Sequence, residues 1–419
     1  MKNLSNKWTR AAIPALLLHS SIGTVYCWSY FSGAIETALA GSFGVDALGW
    51  AFSLAIFFLG MSAAFLGDFV EKDIHKASLI ATICFVLGVA GTGLAIRLQS
   101  AILVIIFYGV IMGIGLGLGY LSPVKTLMLW FKDSKGLATG LAVAGFGAAK
   151  MFFAPIITTF IGWIGVEFAL YLLAGIWFVM MFTGHLLLKK PDGWVEAHEK
   201  FEIKTFFKRF KIFLDPKFIG IWLVFYLNIT CGLALISFEK DIYTFIGITE
   251  IVTSVLATVT GLFNAGGRLV YSAIGDHLKQ RNTIYKVILI SEIVITAVAL
   301  FSGAITENAT IILLVICVAL MLVVNAGYGG GFSNLPTLLS DVYGMGKISS
   351  IHGIALSAWA FAGLTGNQIA KVIIDSTGNY SNVLIFTLIL YVIAMVIDFT
   401  LVKTPRKTEE IEVETTSNV

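Results

Sequence analysis

Charge is what this chain has least of: Asp, Glu, Lys and Arg together make up 13% of its 419 residues, against roughly a quarter in soluble domains. Hydrophobic residues reach 58%. Such a composition excludes an ordinary water-soluble domain and makes the bilayer the natural solvent. Cysteine is also sparse. Cys27, Cys84, Cys231 and Cys317 all fall in apolar stretches and never pair as C-x-x-C, which argues against a disulfide framework or a zinc site and for small core residues. A phosphate cradle is missing too, because the glycine runs lie inside apolar spans rather than between a strand and a helix. With no nucleotide motif, any work the chain does must draw on a gradient. No cofactor, metal or nucleic-acid partner is expected.

What is present is a series of long apolar runs. A membrane-crossing helix needs about 20 mostly apolar residues, and twelve windows qualify: 9–35, 47–68, 77–97, 101–131, 137–161, 166–188, 217–240, 250–274, 284–303, 309–340, 348–372 and 381–402. The predicted fold class is therefore an all-α membrane protein of twelve transmembrane helices. The first window follows Lys2, Lys7 and Arg10 but runs past twenty residues with Tyr26, Trp28 and Tyr30, and reads as a retained helix rather than a cleaved signal.

Basic residues alternate between the two sets of loops. Of 28 Lys and Arg, 22 collect at the N-terminus, in every second loop and in the tail, and the opposite loops hold Arg97, Lys240 and Lys371. Because cytoplasmic loops carry the excess, both termini are expected in the cytoplasm, in a plasma or inner membrane. The net charge of +3 follows from this bias and names no partner.

One long charged segment divides the helices six and six. The expected organisation is a six-helix bundle over 1–188, a cytoplasmic linker over 189–216, a second bundle over 217–402 and a disordered acidic tail over 403–419. In the linker, Phe206, Phe207, Phe210 and Phe213 alternate with Lys204, Lys208, Arg209 and Lys211 at helical spacing, as a helix lying on the membrane surface does. Asp215-Pro216 predicts the start of the seventh helix, an acidic cap followed by proline. The halves are weak copies: Gly67-Asp68 with Glu71 is echoed by Gly275-Asp276, and Gly119-Tyr120 with Pro123 by Gly327-Tyr328 with Pro336. Two such repeats predict a substrate site between them near the midplane.

The remaining cations, Lys125, Lys150 and Arg268, lie within apolar windows and have no equally central set of acids facing them. A charge at that depth costs about 2.5–3.5 kcal/mol on the gentlest insertion scale, so three of them call for a hydrated cavity or an anionic partner. Arg268 and Asn264 stand one turn apart on one face. A guanidinium there can grip a carboxylate through two parallel hydrogen bonds. Lys150, about thirteen residues into its helix, suits a cavity wall. Lys125 is close enough to the inner interface to serve either substrate attraction or structure. Glu292 could hold a coupling proton or pair with a polar neighbour, and His19 and His352 could titrate or serve as hydrogen-bonded packing residues. Tyr26, Trp28, Tyr30, Tyr120, Tyr328, Phe332 and Trp359 are candidates to wall a small cavity, although Trp28 and Tyr30 suit an interfacial belt equally well.

Gly67, Glu71, Lys72 and Lys76, with Asp276 in the second half, form short inner loops suited to gating, and their spacing resembles the loop signature of the major facilitator superfamily, with Ile74 where that family has glycine. Nearly end to end the chain is similar to the oxalate/formate antiporter branch of that superfamily, which also holds lactate and pyruvate carriers related to the monocarboxylate transporters. The resemblance rests on Tyr26-Cys27-Trp28-Ser29, Gly119-Tyr120 through Gly140, Gly145-Phe146-Gly147, Asn264 to Arg268, and Pro336 through Gly344.

This resemblance implies two six-helix bundles and a monomer, with Arg268 gripping the substrate carboxylate beside Asn264. Tyr120 and Tyr26 would be binding-site tyrosines, and Tyr328 and Phe332 an aromatic wall. Trp359 replaces the lysine that matches a dianion in the oxalate carrier, which implies a monocarboxylate such as lactate, pyruvate or formate, moved with a proton. Lys150 could supply the second cation instead and restore exchange of oxalate or another dicarboxylate. Two other classes stand beside this one. A membrane enzyme needs a nucleophile with its base or grouped metal ligands, whereas His75, His185, His198 and His277 lie scattered near interfaces or in loops. A sensor built on a transporter's scaffold stays open although the 403–419 tail has no room for a signalling domain, and flux of a labelled carboxylate separates carrier from sensor.

Overall fold

The computed structural model describes residues 7–194 and 208–402, and these fold as helices without strands. Ten of the helices are long and apolar enough to cross a membrane. Twelve emerge once two details are read. One continuous stretch, Lys135–Leu187, is two helices joined at Gly165, where φ is 76° and ψ is 162°, a conformation open in practice only to glycine. The helix Glu250–His277 has the length to cross but carries more polar residues along it. In chain order the helices are α1 (Trp8–Ala38), α2 (Trp50–Lys72), α3 (Ile74–Arg97), α4 (Ala101–Trp130), α5 (135–164), α6 (166–187), α7 (Pro216–Ile236), α8 (Glu250–His277), α9 (Thr283–Ser302), α10 (Ile311–Tyr343), α11 (Ile348–Thr377) and α12 (Ser381–Leu401).

Local chemistry sets several boundaries. Asp73 alone separates α2 from α3 and caps the latter, its carboxylate accepting from the amides of His75 and Lys76 at 3.1 and 2.9 Å. Partial burial pushes that carboxyl up, but those amides and the Lys76 ammonium hold it below its ordinary value. Ile74, at the family's glycine position, is simply the first residue of α3. Asp215 caps α7 through the Lys217 amide at 2.9 Å, with Pro216 in the first turn. Directly before that cap runs a 3-10 helix, Arg209–Leu214, from which Phe213 packs onto Phe218 and Trp222. Lys204, Phe206, Phe207 and the 403–419 tail lie outside the described residues.

Packing divides the chain into two compact units, Met1–Ala197 with Gly346–Leu364, and His198–Met345 with Thr365–Val419. This departs from the sequence halves in one respect: the beginning of α11 belongs with the first six helices. The reason is steric. A Cβ on Gly353 would meet the Ala63 carbonyl oxygen at 2.2 Å, so only glycine allows this approach to α2.

Candidate functional site

In the second unit, α8 and α10 are packed as tightly as backbones allow. A Cβ on Gly329 of α10 would stand 2.1 Å from the carbonyl oxygen of Asn264 on α8. That contact brings the polar face of α8 against the aromatic face of α10. Arg268 is fully buried there. Its Nε donates to Asn264 Oδ1 at 2.9 Å, and the guanidinium lies 5.2 Å from the centre of the Phe332 ring. Phe332 is held in turn by Tyr328 and Phe225, each at 5.0 Å. The structure thus joins four of the sequence-selected residues, Asn264, Arg268, Tyr328 and Phe332. Asn264 Oδ1 is a neutral amide oxygen, so this contact fixes the guanidinium plane without itself cancelling the positive charge.

In the first unit an aromatic cluster forms around Phe146 of α5. Tyr26 meets it edge-on at 5.3 Å, Tyr120 at 5.8 Å and Trp359 at 5.7 Å, while Tyr120 and Trp359 also touch each other. Tyr26 reaches this position from a narrowed 3-10 stretch of α1, Gly23–Cys27. Phe146 was not among the residues chosen from sequence as site candidates. Its flanking glycines, Gly145 and Gly147, were the available signal.

The two remaining cations have different surroundings. Lys150 is half-buried, with its ammonium 5.8 Å from the centre of the Tyr30 ring. Tyr30 itself is exposed, and Trp28 turns inward against Tyr108 at 4.5 Å. Lys125 is buried in an ion pair with Glu71 and lies against the Trp194 ring. The other Glu71 oxygen accepts from the Ser349 amide at 2.8 Å. Gly67 adjoins the same backbone, since a Cβ there would meet the Ser349 carbonyl oxygen at 2.8 Å. Lys72 is exposed, and Lys76 pairs with Asp73 at 3.2 Å.

The second unit carries its own version of this loop. Arg281 bridges Asp276 at 2.9 Å and Asp341 at 2.7 Å, tying the end of α8 to the end of α10. Burial pushes the Arg281 guanidinium down, but these two carboxylates raise it above its ordinary value. Arg281→Met would strand both acids, and removing one partner of a buried pair costs about 3–5 kcal/mol. We expect a marked fall in the melting temperature of the detergent-solubilised protein, and an unchanged melting temperature would remove the bridge from the account. In the middle of α9, Glu292 is buried with Asn228 of α7 donating to it at 2.9 Å, the polar neighbour that sequence alone could not name.

Comparison with known proteins identifies the family of the chain. A sequence model of the Major Facilitator Superfamily matches residues 17–367. The chain is 23% identical to the uncharacterized MFS-type transporter YhjX of Escherichia coli over 82% of each protein. It is 24% identical to the oxalate:formate antiporter of Oxalobacter formigenes over 90% of this chain and 87% of the relative. Among solved structures, the transporter FucP in its outward conformation superposes with a TM-score of 0.68 at 12% identity, over 94% of this chain and 98% of that one. The match in sequence over most of the chain and the shared helical fold identify a multi-pass membrane protein that is a transporter rather than an enzyme, and it belongs to the major facilitator superfamily.

Proposed function

We propose that this transporter carries a small carboxylate anion by alternating access, with Arg268 as the group that grips the carboxylate. The observation that carries this reading is the buried guanidinium oriented by Asn264 and backed by Phe332. Such an arrangement presents charge-assisted donors in a fixed plane, the geometry a carboxylate matches with two parallel hydrogen bonds. Tyr328 supports the aromatic wall, and Tyr26, Tyr120 and Trp359 form the corresponding cluster in the first unit. With Trp359 in place of a second cation, the preferred cargo is a monocarboxylate of the lactate, pyruvate or formate kind, moved together with a proton. The distribution of Lys and Arg puts both termini on the cytoplasmic side. We take the working unit to be a monomer.

Counterflow in proteoliposomes with formate, acetate, lactate, pyruvate, oxalate and malate tests the reading. Exchange of the monocarboxylates supports it, and failure of all six to exchange sinks it. A second reading, exchange of oxalate or another dicarboxylate, is favoured by the relative named oxalate:formate antiporter and by the ammonium of Lys150, which could serve a second carboxylate. Lys150→Ala separates the two readings. If Lys150 serves a dianion, the variant loses oxalate relative to lactate by at least about tenfold, the worth of one charge-assisted contact of about 1.5–3 kcal/mol. An unchanged preference assigns Lys150 to structure.

A further inference from the structure

His19 sits in the middle of α1, fully buried, and carboxylate binding as described makes no use of it. Both of its ring nitrogens face backbone carbonyls. Nδ1 is 2.9 Å from the oxygen of Ala142 on α5, and Nε2 is 3.0 Å from the oxygen of Tyr120 on α4. A neutral imidazole has one N–H and one lone pair, so whichever tautomer forms, one contact sets a ring lone pair against a carbonyl lone pair at hydrogen-bond distance. The imidazolium has two N–H groups and satisfies both carbonyls. Tyr120 also stacks its ring on the imidazole at 5.1 Å and 15°, presenting an aromatic face to a cation. Phe146 closes the site edge-on at 6.4 Å.

We propose that His19 is a proton-binding site, the second ring proton being held between the carbonyls of Ala142 and Tyr120, and that this is the proton moved with the anion. The second half of that statement rests on the carboxylate-carrier reading; the first does not. Protonation would join α1, α4 and α5 through two hydrogen bonds, and loss of the proton would turn one of them into a repulsion. Among the described residues, neighbouring titratable and charged groups come from α4, α5, α6 and α11. From α4 there is Tyr120, with Lys125 about one turn further along and paired with Glu71. From the start of α11, His352 packs its ring 5.8 Å from that of Tyr120. From α5, Lys150 lies two turns beyond Ala142 and over Tyr30. From α6, Gly184 meets the neighbouring Leu18, and the adjacent His185 is engaged by Ser78.

The site can be tested without transport. In histidine-labelled full-length protein in nanodiscs, nitrogen NMR of the imidazoles at pH 6 should show His19 with both nitrogens protonated, its signals identified by their absence in His19→Gln. If that variant does not fold, the five other His→Gln variants assign the resonance by elimination. A ring that stays a neutral single tautomer down to pH 5 overturns the proposal. For coupling, lactate is the probe. An inside-alkaline gradient of one pH unit should drive about tenfold accumulation in wild-type vesicles. His19→Gln should retain lactate counterflow at equal pH and lose that accumulation, whereas undiminished accumulation refutes the coupling role. Should the wild type move no lactate or other carboxylate, the carrier reading fails while the NMR measurement still decides whether His19 binds the proton.

Discussion

Arg268→Gln lowers carboxylate uptake into proteoliposomes by at least about 100-fold while the protein remains helical and monodisperse. The size follows from what is removed. Two charge-assisted hydrogen bonds of about 1.5–3 kcal/mol each leave with the guanidinium, and every 1.4 kcal/mol is roughly tenfold in affinity. Asn264 and Phe332 lose their contacts to the guanidinium as well, so the helical content and monodispersity of the variant are checked alongside the flux. Arg268→Lys should recover only part of the loss, because an ammonium keeps the charge but not the planar fork. Uptake by Arg268→Gln at wild-type rates would show that the anion is gripped elsewhere.

The second large effect concerns Glu71 and Lys125. Either Glu71→Gln or Lys125→Met leaves its partner charged in a buried place, at a cost of about 3–5 kcal/mol. Removing both together should cost less than the two losses combined, since neither charge is then stranded. A double-mutant cycle measured by denaturation in detergent reports the difference as a coupling of about 1–3 kcal/mol. Glu71 also accepts from the Ser349 amide, a bond that the carbonyl oxygen of Glu71→Gln can still take. Additive losses would mean that the two side chains do not interact in the folded protein.

The architecture could be read from the sequence because lipid imposes a length on every apolar run, and twelve runs of that length are present. The eighth, Glu250–His277, shows how little regularity is needed: its polar face is the one that carries Asn264 and Arg268. The Asn264–Arg268 pair was legible as well, since one turn of helix fixes their proximity whatever surrounds them. Contacts between residues far apart in the chain were not. Lys125 and Glu71 are on different helices, as are Asn228 and Glu292, and no local period links their positions. The narrowed turn in α1 that delivers Tyr26 leaves no mark beyond a single glycine. His19 is the clearest case, because its significance lies in two backbone oxygens that every residue possesses.

The junction at Gly165 has a consequence for engineering. α5 and α6 meet there with a single non-helical residue between them and open space where a side chain would project. Alanine would fit that space and still be disfavoured, since the backbone conformation itself costs any L-residue about 1–3 kcal/mol. Adding one residue on the helical side is worse, because each step turns a helix by about 100°. The whole lipid-facing stripe of α6 would then swing round toward its neighbours. A tag or fluorophore sequence that most surface loops accept is therefore expected to abolish expression when inserted at this position.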